Sequence, residues 1–371
     1  MDTPTLSSAG ETRRADLIIP PDAPKDAALL RKRKKRELPP PKPTGILGYL
    51  SLIFIILAVF SPIFLSDVVW SEYDEVERSA FQSMDHWSQA WSIESIRKED
   101  PITLTSYFLE SAIPLPDAIV HHALNLLLHI IGAILLVRTL EALQAPAALP
   151  AALIFALHPV VVETLFWSGY RNEIVGLIFI LSALLMGIRS RNTQAYIATL
   201  FLSAIACIVH PAALAIPVIL ALVTFFQERY FTISSLNRIL PLICITLFIG
   251  VWTQIASPKV ENQGISESIS FLNTAGNNLY YYLRQAVVPF ELSLFTPVAS
   301  AKSYQVGSEF SLLPFFLFIP FIALLVINRK KPMARAALLG LISYLILCIY
   351  GISQTGVFIN GEVAQVNYGH Y

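Results

Sequence analysis

Charge is scarce in this sequence. Asp, Glu, Lys and Arg make up 14% of its 371 residues, against 55% that are hydrophobic. With a mean hydropathy of +0.60, the chain lacks the polar coat of an ordinary soluble domain, and a polytopic membrane protein is indicated. Cysteine is scarcer still. Cys207, Cys244 and Cys348 all fall in apolar runs and share no paired spacing. That pattern argues against a disulfide framework or a cysteine metal motif and predicts three buried thiols. Net charge is lacking too, at +0, but the charges are segregated along the chain, so the balance says little about partners.

What the sequence has is a series of long apolar runs behind a polar tail. Residues 1–44 are rich in Pro and Ala and close in PPPKPT, which predicts a disordered cytoplasmic tail. The block RKRKKR at 31–36 lies just before the first apolar run, 45–65. Basic residues beside a first span keep that side in the cytoplasm and can touch anionic lipid. Nothing around the block looks like a folded module, so no nucleic-acid partner is expected. The run also starts too late for a cleaved signal peptide. Further runs at 118–140, 147–166, 174–188, 194–209, 212–227, 238–256, 310–328 and 333–352 bring the expected total to about nine crossings.

Charge sets the orientation. With the amino terminus inside, the cytoplasmic links hold Arg138, Arg189 with Arg191, Arg229 with Arg238, and Arg329 with Lys330 and Lys331. The short outer links are poorer in Lys and Arg, as the positive-inside rule requires. The loop 66–117, Arg171, His210, an amphipathic segment at 257–309 and the carboxyl-terminal tail then share the outer side. The expectation is an all-α membrane domain over 45–371 with its polar groups gathered on one face.

A polar stretch, HPVVVETLFWSGYRNE, residues 158–173, is set between two apolar runs, and Pro159 breaks the helix where it begins. Ionisable groups at membrane depth persist mostly where they pair or face a polar cavity. One reading is a pocket at the membrane face, with Arg171 available to a phosphate. The other is a helical connection with an interfacial Glu–Arg pair and Trp167 and Tyr170 as belt anchors. The first outer loop carries Asp67, Glu72, Asp74, Glu75 and Glu77. A carboxylate there could act as a general base or ligate a divalent cation, or the loop is simply solvated. His121, Asn125 and His129 recur every four residues and form one stripe on a helix. That stripe is a polar packing seam or, on a sharper reading, a haem or metal ligand set. His210 with Pro211 falls at an outer turn. In NNLYYYLRQAVVPFELSLF, Arg284 either meets a lipid phosphate through bidentate hydrogen bonds or snorkels.

The pieces HHALNLLLH at 121–129, FALHPVVVETLFWSGYRNEIVGLIFILSALL at 155–185 and YLRQAVVPFELS at 282–293 carry a family likeness. In order and spacing they resemble the membrane half of the O-mannosyltransferase-like proteins with transmembrane spans and tetratricopeptide repeats, within the GT-C glycosyltransferase superfamily. The most specific piece is the central one, with His158-Pro159, Glu163, Trp167, Gly169 and Arg171. The resemblance covers roughly 45–371 and implies a GT-C-like fold. It implies a transferase that takes a sugar from a polyprenyl-phosphate donor and passes it to a protein or glycan acceptor on the outer face. Asp74 or Glu75 would be the general base, with Glu163 a further catalytic carboxylate. Arg171, Arg284, His158 and His210 would meet the donor phosphate. No metal ligands are implied, although a divalent ion could accompany the donor.

The sequence also departs from that pattern. His210-Pro211 stands where such proteins have a Lys-Glu pair, and no tetratricopeptide pattern follows. A shortened or degenerate relative is therefore a second expectation: a non-catalytic GT-C-like subunit acting as a scaffold with other membrane subunits. A haem- or metal-binding redox protein is a third. The basic tail and the lack of a reticulum signal point to a bacterial plasma membrane, with the amino terminus cytoplasmic and the carboxyl terminus outside.

Overall fold

The structure is a computed structural model. It describes residues 41–66, 88, 90–92, 100–167, 170–190, 192–228, 233–254, 283, 285–287, 289, 313–329 and 331–354. All of these lie in one compact unit, Pro41–Tyr371. Every regular element among them is a helix, as expected where lipid leaves the backbone no other hydrogen-bond partner.

The helices are α1 (Ile46–Phe60, extended by a 3-10 turn Ser61–Leu65), α2 (Pro101–Ser111), α3 (Asp117–Ala142), α4 (Ala148–Ala156) and α5 (Val161–Phe166). They continue with α6 (Arg171–Arg189), α7 (Thr193–Val209), α8 (Ile216–Glu228, preceded by a 3-10 turn Pro211–Ala215) and α9 (Ile233–Gln254), then α10 (Leu313–Ile327) and α11 (Pro332–Gln354). Among the described residues, four stretches are long and apolar enough to cross a membrane: Ile46–Leu65, Asp117–Ala142, Arg171–Arg189 and Ser235–Thr253. Thr193–Val209, Pro211–Gln227 and Met333–Cys348 are shorter apolar helices.

Two apolar cores hold the bundle. In the first, Leu52, Ile56, Phe60 and Ile63 pack on Leu126, Ile130, Ala133 and Val137 of α3 and on Ala152 and Ala156 of α4. In the second, Ile180 and Leu184 of α6 meet Ala206 and Cys207 of α7, Ile216 and Leu220 of α8 and Leu242 of α9. Alanines at the seams let the backbones approach closely, the usual device where lipid removes the hydrophobic drive between helices. Leu47 and Phe54 on α1, and Leu240 and Phe248 on α9, stay exposed.

The direction of each helix follows from its contacts. Arg171 bonds to Asn125, and a Cβ on Gly132 would touch Leu177, so α6 runs the same way as α3. The chain between them must therefore turn back. It does so in two pieces: the carbonyl of Ala156 lies opposite His129, and that of Leu165 opposite Asn125. The crossing expected over 147–166 is thus built from α4 and α5, with the break at His158-Pro159. Proline has no N–H to donate, and it restricts the residue before it. One difference is that the helix α6 already includes Arg171, which was expected in the link before it. Another is Cys244, expected buried and found exposed, while Cys207 and Cys348 are buried.

The polar contacts sort to two ends. At one, Thr44 N–H and Tyr49 Oη reach the Glu141 carboxylate, tying the start of α1 to the end of α3. Tyr196 Oη donates to the Arg238 carbonyl, and Arg238 Nη1 reaches the Ser190 carbonyl at 3.4 Å. At the other end lie the starts of α3 and α6 and the end of α7, with α2 packed across them.

Candidate functional site

The site is built at that second end, beginning with α2. Asp100 caps its first turn, accepting the Ile102 N–H at 3.0 Å and the Thr103 hydroxyl. Pro101 occupies the position where a missing N–H costs nothing. The helix is amphipathic: Thr103, Leu104 and Glu110 are buried and Leu109 is exposed. Its inner face meets the His121–Asn125 part of the α3 stripe and the first turn of α6.

Arg171 is the centre of this meeting and is fully buried. Its Nε donates to Asn125 Oδ1 at 2.7 Å, its Nη1 to Ser106 Oγ at 3.1 Å, and its Nη2 stands 2.6 Å from Glu110 Oε2. One face of the guanidinium lies over the Tyr107 ring, 4.3 Å from its centroid. Arginine's rigid fork suits such multiple engagement, and a buried charge is tolerated only when so paired.

The protonation of His121 can be worked out from its neighbours. Asn125 Oδ1 accepts from Arg171, so Asn125 Nδ2 is the donor to His121 Nε2 at 3.0 Å and to the Leu165 carbonyl at 3.3 Å. His121 Nε2 is then an acceptor, and Nδ1 carries the proton, directed at Glu110 Oε1 3.2 Å away. The 2.7 Å approach of Arg171 Nη2 to His121 Nδ1 is consequently a contact of two donors that share one carboxylate. Burial works to raise the Glu110 carboxyl, but the His121 hydrogen bond and the Arg171 charge outweigh it and hold it below the ordinary carboxylate range.

A second cluster lies nearer the surface. His210 caps the 3-10 turn after α7, its Nδ1 accepting the Ala212 N–H at 3.2 Å. Its Nε2 therefore bears the proton and donates to Glu173 Oε1 at 3.1 Å. Gly176 makes this approach possible, since a Cβ there would stand 2.6 Å from His210 Cβ. Asp100 faces His210 electrostatically. Burial pushes the Asp100 carboxyl up to about 6, partly offset by its cap bonds and by His210. Burial alone would depress His210, but the Glu173 and Asp100 charges prevail and raise it.

Of the residues expected at the site, Arg171 and His210 are here, in the adjoining clusters. His158 sits in the α4–α5 break, where its Nδ1 accepts the Val160 N–H at 3.3 Å. Glu163 lies in α5, with its side chain outside the described residues, and Asp74, Glu75 and Arg284 lie outside them altogether. Trp167, a candidate belt anchor, is buried against Tyr170. The stripe on α3 is spent internally: His129 Nε2 meets the Ala156 carbonyl at 2.9 Å. Among the described residues, no group of three or more His, Cys, Asp or Glu is placed to hold a metal ion.

Sequence reasoning missed Glu110, Ser106 and Tyr107 as partners of Arg171, and Asp100 and Glu173 as partners of His210. Glu110 carried a signal, as the one acidic side chain within the α2 stretch PITLTSYFLES. A carboxylate alone on an amphipathic helix packed against a membrane bundle needs a buried cation. Compared with known proteins, the chain matches no family model and no curated protein.

Proposed function

We propose that this protein is a multi-pass membrane glycosyltransferase that moves a sugar from a polyprenyl-phosphate donor to an acceptor at the outer membrane face. The observation that carries the reading is the gathering of Glu110, His121, Arg171, Glu173 and His210 at one end of a bundle of apolar helices, where the amphipathic α2 packs across it. The resemblance to GT-C transferases supports the class, and the apolar runs, the charge pattern and the basic tail support about nine crossings with the amino terminus inside, in a bacterial plasma membrane.

In this reading a carboxylate, Asp74 or Glu75 with Glu163 as a further candidate, takes the proton of the acceptor hydroxyl. The acceptor oxygen forms its bond to the anomeric carbon. The bond from that carbon to the phosphate oxygen breaks, and its electron pair leaves with the lipid phosphate. Positive charge at the phosphate stabilises the departure. His210, Arg284 and His158 are the groups proposed to meet the phosphate.

The experiment is sugar transfer from a radiolabelled panel of polyprenyl-phosphate sugars by the purified protein in lipid nanodiscs, with Asp74→Asn and Glu75→Gln in parallel. Transfer by the wild type that is lost in a carboxylate variant supports the reading. No transfer from any donor by folded protein sinks it. One observation favours a second reading, a non-catalytic scaffold subunit: the Arg171 donors engage Asn125, Ser106 and Glu110, as expected of a structural hub.

A further inference from the structure

We infer that Arg171 is a positioning residue, which holds α2 down across α3 and α6 through Glu110 and so sets Asp100 against the His210–Glu173 pair. The inference deepens the transferase reading and rests on it for the meaning of that pair, but its geometry stands by itself.

Four observations carry it. First, Arg171 is wholly buried, and the edges of its guanidinium reach Asn125, Ser106 and Glu110 while one face is covered by Tyr107. Second, those partners are not scattered. Ser106, Tyr107 and Glu110 lie on one face of α2, while His121 and Asn125 lie on one face of α3. One side chain from α6 therefore fastens two other helices. Third, the charge is already balanced. An incoming phosphate would have to displace Glu110 and leave its carboxylate in a buried site facing only His121, an expensive exchange. Fourth, α2 also packs on α6 and α7, and Asp100, which caps its first turn, lies close enough there to feel the His210 charge. Fixing α2 at Glu110 fixes where Asp100 sits, nearly three turns earlier on the same rigid rod.

The clamp also explains why the residue is arginine. A lysine could answer the Glu110 charge, but it has no planar fork to reach Asn125 and Ser106 as well. His121 adds a second donor to the same carboxylate and is held in the required tautomer by Asn125. Each member of the set thus orients another, and the set as a whole orients α2.

A positioning role and a phosphate-ligand role predict opposite signs. If Arg171 positions α2, Glu110→Gln and Arg171→Lys act in the same direction. Both loosen α2, and both lower kcat/KM for the donor about tenfold or more. If Arg171 binds phosphate, Glu110→Gln frees the cation and lowers the donor KM, while Arg171→Lys raises it.

The decisive measurement does not need activity. Spin labels at Leu109→Cys on α2 and Val162→Cys on α5, both exposed, are placed in protein whose three native cysteines are replaced by alanine. Their distance distribution is read by pulsed electron resonance in nanodiscs. The expected result is one narrow distance in the parent and a broadened or displaced one in Glu110→Gln and Arg171→Lys. Ser106→Ala removes one neutral bond without stranding a charge, and a smaller broadening is expected there, which guards against variants that merely misfold. Distributions identical to the parent in all three variants would overturn the inference. Should the wild type transfer no sugar, the transferase reading falls, and the distances still decide whether the clamp exists.

Discussion

His210 joins the end of α7 to the start of α6 by donating from Nε2 to Glu173 Oε1 at 3.1 Å, while its Nδ1 accepts the Ala212 N–H. Both ring nitrogens are engaged, so the imidazole cannot turn without breaking a bond. Protonation would place a hydrogen on Nδ1 at the cost of the Ala212 bond, yet the charges of Glu173 and Asp100 favour the charged ring.

The first prediction concerns pH. Folding raises Asp100 from 3.8 to about 6 and raises His210 above 6.5. Each group binds its proton more tightly folded than unfolded, so its stabilising contribution is full in acid and is lost as pH rises. The loss runs from 3.8 through about 6 for Asp100, and from 6.5 through the raised value for His210. Glu110 has the opposite sign, since its contribution is lost as pH falls from 4.5 through its lowered value. Melting temperature in detergent should therefore pass through a maximum in mild acid and decline toward alkaline pH. Asp100→Asn should remove the earlier part of that decline, and His210→Gln the later part. Profiles that overlay the wild type would refute the assignment.

A second prediction separates the two jobs of Asp100. Asparagine caps a helix about as well as aspartate, whereas alanine does not. Asp100→Ala should lose about 0.5–2 kcal/mol at every pH, and Asp100→Asn much less, with its effect confined to the pH profile. Denaturant titration at two pH values measures both. Equal losses for the two variants would mean the cap is not what holds this turn.

Third, the buried pair should show non-additivity. Glu110→Gln or Arg171→Gln alone should cost about 3–5 kcal/mol, because each leaves a buried charge without its counterion. The double variant removes both charges and should cost clearly less than the sum. Chemical denaturation of all four proteins closes the cycle, and an additive double variant would show that the two side chains do not interact.

Fourth, Gly176 should resist any side chain. A Cβ there would come within 2.6 Å of His210 Cβ and 3.7 Å of Val209 Cγ1. Gly176→Ala should cost about 1–3 kcal/mol through overpacking and should also shift the alkaline part of the pH profile, because His210 is pushed from Glu173. A stable variant with an unchanged profile would show that α6 and α7 can separate freely.

Much of the helical layout could be read from the sequence, because apolar runs in lipid have one main solution. The expected ends at 118–140 and 194–209 lie within two residues of α3 and α7. The break at Pro159 was also legible, although its result, two short helices in place of one, was not. Neither was the Glu110–Arg171 pair. Those residues stand 61 positions apart, and helix periodicity speaks only of neighbours three or four residues away. Glu173 and His210 were each singled out or near what was singled out, but nothing in the linear order says that they touch. The exposed Cys244 has the same cause: an apolar run does not say which of its faces meets lipid.

The two carbonyl contacts made by α3 change how its polar stripe should be valued. A helix interrupted inside a bundle has loose carbonyls at the end of each half, with no water to meet them. His129 reaches the last residue of α4, and Asn125 reaches the last turn of α5. The stripe is therefore stitching along a torn seam. By hydropathy, His129→Leu would look like an improved transmembrane segment, yet it would strip the Ala156 carbonyl of its only described side-chain donor. A tally of apolar residues would reward the very substitution that unpicks the fold.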